Sequence, residues 1–331
     1  MLLYALLMSP FLSVVLPYWF DRPDSEAFEI AENADRLGFP RLWVGEMATF
    51  DAFALGASIA SRTSSIELVI GPVAAGVRSP VALSLGLLTV EAAGDRAAQL
   101  ALGASSPEIV SSWHGREWGA PVSRIRETFE ATSTLLRGDR LSYDGSVVKS
   151  RGFRPRSAAR CQEIALAALG PRSLSLAARS SKLVVFNLLT HSAAAWMCSA
   201  VCRHAKEAGI ARRRICLWQT VALEPTEETL RQIAAQLSAY LAAPGYGEMF
   251  TAAGGGELVE RARKGESRSA LAALITPDFL SRFVAWGDAD AVKQRLDDLF
   301  EAGIDEIAVV PATAPDRGGE ATLSALAALY S

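Results

Sequence analysis

Short apolar runs alternate with stretches whose apolar positions recur every three or four residues, and the alternation persists along most of the chain. The short runs, bounded by Gly and Pro, predict buried strands, and the periodic stretches predict amphipathic helices. Leu12-Ser13-Val14-Val15-Leu16-Pro17 is the first predicted strand. After Pro23, Asp24 or Ser25 can cap a helix that shares Ala27, Ile30, Ala31 and Ala34 on one face and stops at Gly38. Arg41 to Gly45 is the second strand, and a helix over about 53–62 leads to the third, Ile66-Glu67-Leu68-Val69-Ile70. There Gly71-Pro72 ends the apolar run and opens a loop, and a proline at that position can hold a cis bond at little cost.

The rhythm continues with a helix over about 81–93, a strand at Gln99 to Gly103, a loop, and a helix over about 123–137. It breaks at 138–156, where Leu141 to Val148 reads as an inserted hairpin. It resumes with strands at Ile164 to Ala168, Leu183 to Asn187, Ile215 to Leu223 and Ile307 to Val310. Helices fill the intervals near 171–180, 194–208 and 227–241. Residues 245–275 read as helical excursions. Asp288 caps a last helix carrying Val292, Leu296, Leu299 and Phe300 on one face, with Gly303 as its stop. Eight strands joined by right-handed crossovers predict a (β/α)8 TIM barrel, one domain over 1–331 with insertions near 138–156 and 245–275. The competing arrangement is an open doubly wound sheet, and the lack of a G-x-G-x-x-G after the first strand weighs against it.

Composition narrows the function. Of 331 residues, 50% are hydrophobic, so a large core is available. A net charge of -3 gives no general pull toward nucleic acid or anionic membrane. The four cysteines show neither disulfide nor metal spacing, which fits a reducing cytoplasm. Met1 to Phe20 is apolar, yet no Lys or Arg precedes the apolar part and no small-residue cleavage site follows. It reads as a short extension before strand one, with a misplaced start codon as one explanation.

In a barrel, function sits at the carboxyl ends of the strands. Those ends place Tyr18-Trp19 after strand one, Glu46-Met47 after strand two, and Gly71-Pro72-Val73 after strand three. Gly103-Ala104-Ser105-Ser106 follows strand four. Leu169-Gly170-Pro171-Arg172-Ser173 follows strand five, and Asn187 follows strand six. The set is rich in small and aromatic residues and poor in nucleophiles, and no metal is expected. Such a mouth suits a planar cofactor that brings its own reactivity. Leu169 to Ser173 opens a helix, where outward amides favour an anion, although proline in the first turn is also an ordinary helix start. Glu46 either accepts a hydrogen bond from a heterocycle or is solvated at the rim. His114, within Trp113-His114-Gly115, is either a base or a loop histidine packed between tryptophans.

These stretches together resemble the bacterial luciferase-like oxidoreductases, particularly the actinobacterial branch that uses the deazaflavin coenzyme F420. The match is carried by Ala31 to Phe39 with Trp43 to Glu46, by Ile66 to Pro72 with Arg78-Ser79-Pro80, and by Leu102 to Glu108 with Trp113-His114-Gly115. Ala168 to Pro171 with Leu176 to Arg179, and Phe283 to Pro311, complete it. The resemblance implies a cytoplasmic, dimeric oxidoreductase that takes a small-molecule substrate, with no nucleic-acid or membrane partner. It implies a cis-peptide bulge behind the coenzyme, which by register falls at Gly71-Pro72, backed by Val73. It further implies coenzyme contacts from Gly103, Ala104, Ser105 and Ser106 and phosphate contacts from Leu169, Gly170, Pro171, Arg172 and Ser173. Glu46 and His114 are then the candidate catalytic residues, and Trp19 and Trp113 the candidate substrate wall. Many relatives carry a histidine where this chain has Met47, so two alternatives stand beside F420-dependent hydride transfer. One is an FMN-dependent monooxygenase and the other a cofactor-binding protein without catalysis.

Overall fold

The computed structural model describes residues 10–46 and 48–330. The N-terminal extension before Pro10 and the departure at Met47 lie outside the described residues. Two compact units make up the chain: one holds the chain up to Phe39, Phe186–Arg203 and everything from Arg214 on, and the other holds Pro40–Val185 and His204–Arg213.

In the first unit, β1 (Phe11–Val15) pairs in parallel with β11 (Glu306–Pro311), and β11 pairs with β9 (Arg214–Leu223). Val14, Ile307, Ala308, Val309, Cys216 and Leu217 are fully buried there, as uninterrupted apolar strands in a parallel sheet require. Helix α1 (Glu26–Arg36) buries Ala27, Ile30, Ala31 and Ala34, the face read from its spacing. Ser25 occupies its N-cap without a side-chain bond to the helix, so the expected cap is positional only. Gly38, with φ +80, ends it.

In the second unit, β2 (Arg41–Val44), β3 (Glu67–Ala74), β4 (Ala98–Gly103) and β7 (Ile164–Ala167) pair in sequence, all parallel, and β7 pairs with β8 (Leu183–Asn187). Helices α2 (Ala52–Ala60), α3 (Pro80–Gly94), α4 (Pro121–Leu136) and α5 (Pro171–Ser180) connect them. The inserted hairpin is β5 (Ser142–Asp144) against β6 (Lys149–Arg151). It docks Leu141 and Val148 on Ala131 and Leu135 of α4.

The full strand order is β10-β9-β11-β1-β2-β3-β4-β7-β8, with β9 also paired to β8, so eight parallel strands close as a (β/α)8 barrel. The ninth, β10 (Val284–Gly287), adds to the end of β9 and was not among the predicted strands. Its four residues, Val284-Ala285-Trp286-Gly287, sit directly before the Asp288 cap and are too few to show alternation. The remaining first-unit helices are α6 (His191–Glu207), α7 (Glu227–Ser238), α8 (Tyr246–Phe250), α9 (Gly256–Arg263), α10 (Arg268–Leu274), α11 (Pro277–Leu280), α12 (Ala289–Glu301) and α13 (Glu320–Leu329). Helices α8 to α10 bear out the helical reading of 245–275. Asp288 caps α12 through the Ala291 amide at 2.8 Å, and Gly303 stops that helix at φ +106.

Candidate active site

The third strand does not end at Gly71-Pro72 as its sequence suggested. It runs on to Ala74. Ile70 pairs with Leu100 and Val73 with Leu102, so Gly71 and Pro72 together face the single residue Ala101. That is a bulge of one extra residue, and the Gly71–Pro72 peptide bond is cis. Gly71 has φ +120, and a Cβ there would lie 2.2 Å from the Ala101 carbonyl oxygen. Only glycine fits. A Cβ on Gly103 would meet Pro72 at 3.4 Å and Ala167 at 3.5 Å. Pro72 and Gly103 are therefore direct neighbours, with Val73 fully buried behind them. The strand re-forms its ladder beyond the bulge, and Ala75 N–H donates to Gly103 O at 3.0 Å.

After Gly103 and Ala104 the chain turns at Ser105, which holds a left-handed φ of +67. Ser106 then accepts from the Ile109 amide through its hydroxyl at 3.3 Å and from the Val110 amide through its carbonyl at 3.0 Å. A π-helical turn, Glu108–Trp113, follows with Pro107 at its N-cap, where the sequence reads as loop. Trp113 is 45% exposed, and His114 beyond it is exposed rather than packed between tryptophans.

After β7, Gly170 takes the N-cap position of α5, with Pro171 in the first turn. The Ser173 hydroxyl donates to Gly170 O at 2.9 Å and accepts from the Leu169 amide at 3.4 Å, which fixes the turn. A Cβ on Gly170 would meet nothing nearer than the Ser173 hydroxyl at 4.0 Å. The space over this helix end is open, and Pro171 and Arg172 are exposed beside it.

Glu46 follows β2. Both of its carboxylate oxygens receive the Arg78 guanidinium, one nitrogen to each oxygen, and the Ala52 amide adds a bond at 3.3 Å. Arg78 also reaches Asp51, whose other oxygen caps α2 by accepting from the Phe53 and Ala54 amides at 3.0 Å each. The Phe53 ring lies 5.5 Å from the guanidinium. The hydrogen bonds that Arg78 donates to Glu46, and then the charges of both acids, hold the Arg78 pKa above its ordinary value against its burial. Burial would raise Asp51, yet its backbone partners and Arg78 bring it below the ordinary range. Arg78 opens the Arg78-Ser79-Pro80 loop after β3. No local pattern announces that it meets two acids from the preceding loop.

Trp19 lies in the other unit. It is 5% exposed, donates its indole N–H to Pro311 O at 2.9 Å, and packs with the core around Phe250 and Phe283. The remaining predicted residues, Glu46, Gly71 to Val73, Gly103 to Ser106, Trp113, His114 and Leu169 to Ser173, all belong to the second unit. They lie in or beyond the carboxyl-terminal parts of the neighbouring parallel strands β2, β3, β4 and β7.

A glycine-floored bulge, an open helix N-terminus and a buttressed carboxylate all lie in the second unit. The fold is a (β/α)8 barrel. The family model for luciferase-like monooxygenases matches residues 21–306, and the chain belongs to that family. A 5,10-methylenetetrahydromethanopterin reductase from Methanolobus tindarius is 23% identical over 87% of this chain and 90% of its own. A protein of Mycobacterium tuberculosis, Rv3520c, named for coenzyme F420-dependent oxidoreduction, is 28% identical over 35% of this chain; the match spans 33% of that protein. The solved coenzyme F420-dependent tetrahydromethanopterin reductase from Methanopyrus kandleri superposes with a TM-score of 0.81 at 17% identity, over 98% of this chain and 100% of its own. Solved structures of the fold also include a monooxygenase in complex with FMN.

Proposed function

We propose that this chain is a coenzyme F420-dependent oxidoreductase that moves a hydride between the deazaflavin and a small substrate. The fit of the residues to a deazaflavin supports it. Gly71 and Gly103 keep side-chain atoms off the bulge, and Gly170 leaves open space above two helix-end amides, those of Arg172 and Ser173. When bound, the coenzyme supplies a hydride donor or acceptor at its ring. The protein's part is to bind, orient and exclude water.

In this reading Gly71, Pro72 and Val73 back the ring, and Gly103 to Ser106 border it through backbone atoms. Leu169 to Ser173 receive the phosphate, where helix-end amides and the Arg172 charge favour an anion. Glu46 offers an acceptor to a ring or substrate N–H or O–H. Trp113 shapes the substrate side, and His114 is the candidate proton carrier. The cytoplasm and a homodimer are the setting that the family resemblance implies.

The observation that carries the reading is the bulged third strand, floored by glycine and seated against Gly103. Titrating the purified protein with coenzyme F420 and, separately, with FMN tests it through the visible spectrum of each. Binding of the deazaflavin with reduction of a carbonyl or imine acceptor is the expected result. Tight FMN binding with none for F420 would reject it in favour of a monooxygenase, the reading that the FMN-bound neighbour favours. Cofactor binding without turnover across a broad panel of acceptors would leave a non-catalytic binder, the alternative suggested by methionine at position 47.

A further inference from the structure

We infer that Arg78 is a positioning residue: its guanidinium fork holds Glu46 so that this carboxylate meets its ligand only as a hydrogen-bond acceptor. The inference deepens the proposed function and rests on it only for the identity of the ligand.

Arg78 and Glu46 are 16% and 18% exposed at their side chains, so their pairing is partly shielded from solvent. A carboxylate has about four acceptor positions. Two are used by the two Arg78 nitrogens, one on each oxygen, and a third by the Ala52 amide on Oε1. The remaining capacity is on Oε2. Arg78 is itself held from three sides: by Glu46, by the Asp51 carboxylate, and by the Phe53 ring. Asp51 is in turn fixed by two α2 amides. The fork thus ties the end of β2, the start of α2 and the loop after β3 into one unit, so the Oε2 position is set by three elements at once.

The charge balance sets the ligand class. Two carboxylates face one guanidinium, which leaves the cluster one unit negative. A group that approaches Glu46 is therefore an N–H or O–H donor, neutral or cationic, as in an alcohol, an amine or a heterocyclic imide. A carboxylate or phosphate at this point meets repulsion.

Two readouts test it. The first uses the protein without cofactor: hydrogen–deuterium exchange of the segment 46–56 in wild type, R78M, E46Q and the double variant. R78M is expected to speed exchange of the Ala52 to Ala54 amides by about ten- to a hundredfold, since hydrogen bonds to charged groups are worth that much. R78K keeps the charge without the fork and is expected to fall between wild type and R78M. The second uses whichever of coenzyme F420 or FMN the wild type binds. R78M and E46Q are each expected to lower kcat/KM by about tenfold or more, with the double variant no worse than E46Q alone. Wild-type exchange in R78M, or losses that multiply in the double variant, overturns the inference. If the wild type binds neither cofactor, the proposed function falls while the exchange comparison still decides the role of Arg78.

Discussion

Gly71 passes so close to Ala101 that a single added methyl group would sit 2.2 Å from the Ala101 carbonyl oxygen. The contact is backbone to side chain, and neither partner has a rotamer through which to retreat. The same glycine holds φ +120. Space and conformation therefore specify the residue independently.

The first prediction concerns G71A. Overpacking and an unfavourable φ each cost about 1–3 kcal/mol. The variant should lose about 3 kcal/mol or more in urea denaturation. Any fraction that remains folded should bind the cofactor more weakly, because the bulge has shifted. A G71A protein with wild-type stability and binding would remove the bulge from the account of the site.

Gly170 supplies the opposite case. Its φ of -89 is ordinary for any residue, and the Ser173 hydroxyl, 4.0 Å from the place its Cβ would take, is the nearest atom beyond its chain neighbours. G170A should leave stability within about 0.5 kcal/mol of wild type. It should nonetheless weaken binding of the phosphate-bearing cofactor, since the methyl group fills the space above the helix end. Unchanged affinity in G170A would move the phosphate elsewhere.

Glu127 gives a prediction in pH. It is 2% exposed and accepts from the Ser146 hydroxyl and the amides of Ser146, Val147 and Val148 at 2.6–3.1 Å. Burial opposes its charged form, yet these bonds win and bring its pKa from 4.5 to about 2. A carboxyl depressed on folding contributes stability that is present above its unfolded pKa and fades as pH falls through the folded one. The gap between wild type and E127Q should be full above about pH 5 and narrow as pH drops toward 2. At neutral pH, E127Q should be about 1–3 kcal/mol less stable, because it exchanges a charged acceptor for an amide facing several donors. Proteolysis should then begin in the 142–151 hairpin. An equal gap at pH 3 and pH 7 would show that the Glu127 charge contributes nothing.

Much of this architecture could be read from the chain because parallel strands buried on both faces leave continuous apolar runs. Trp43, Ile70 and Leu100 are fully buried, each inside a run that announced its strand. Glycine stops at Gly38 and Gly303 were legible for the same reason, since both need positive φ. The site was legible only in part. Gly71-Pro72 stood out as a dipeptide, but the bulge depends on register with β4, which no local pattern encodes. Glu46 stands out by its place after β2, but Arg78, far from it in sequence, looks like an ordinary surface charge until the fold joins the two. Glu127 was missed because its partners are backbone amides of an insertion, which carry no residue signature. Trp19 was assigned to an opening by its place after β1, whereas its indole is committed to Pro311 and the core.

The Glu127 anchor has a consequence for how this protein can diversify. Three of its five donors are peptide groups, present whatever residues the hairpin carries. The clamp grips the backbone of the turn and ignores most of its lettering. The exposed positions on either side, Ser142, Asp144, Lys149 and Arg151, are thereby free to be rewritten while the appendage stays fastened to α4.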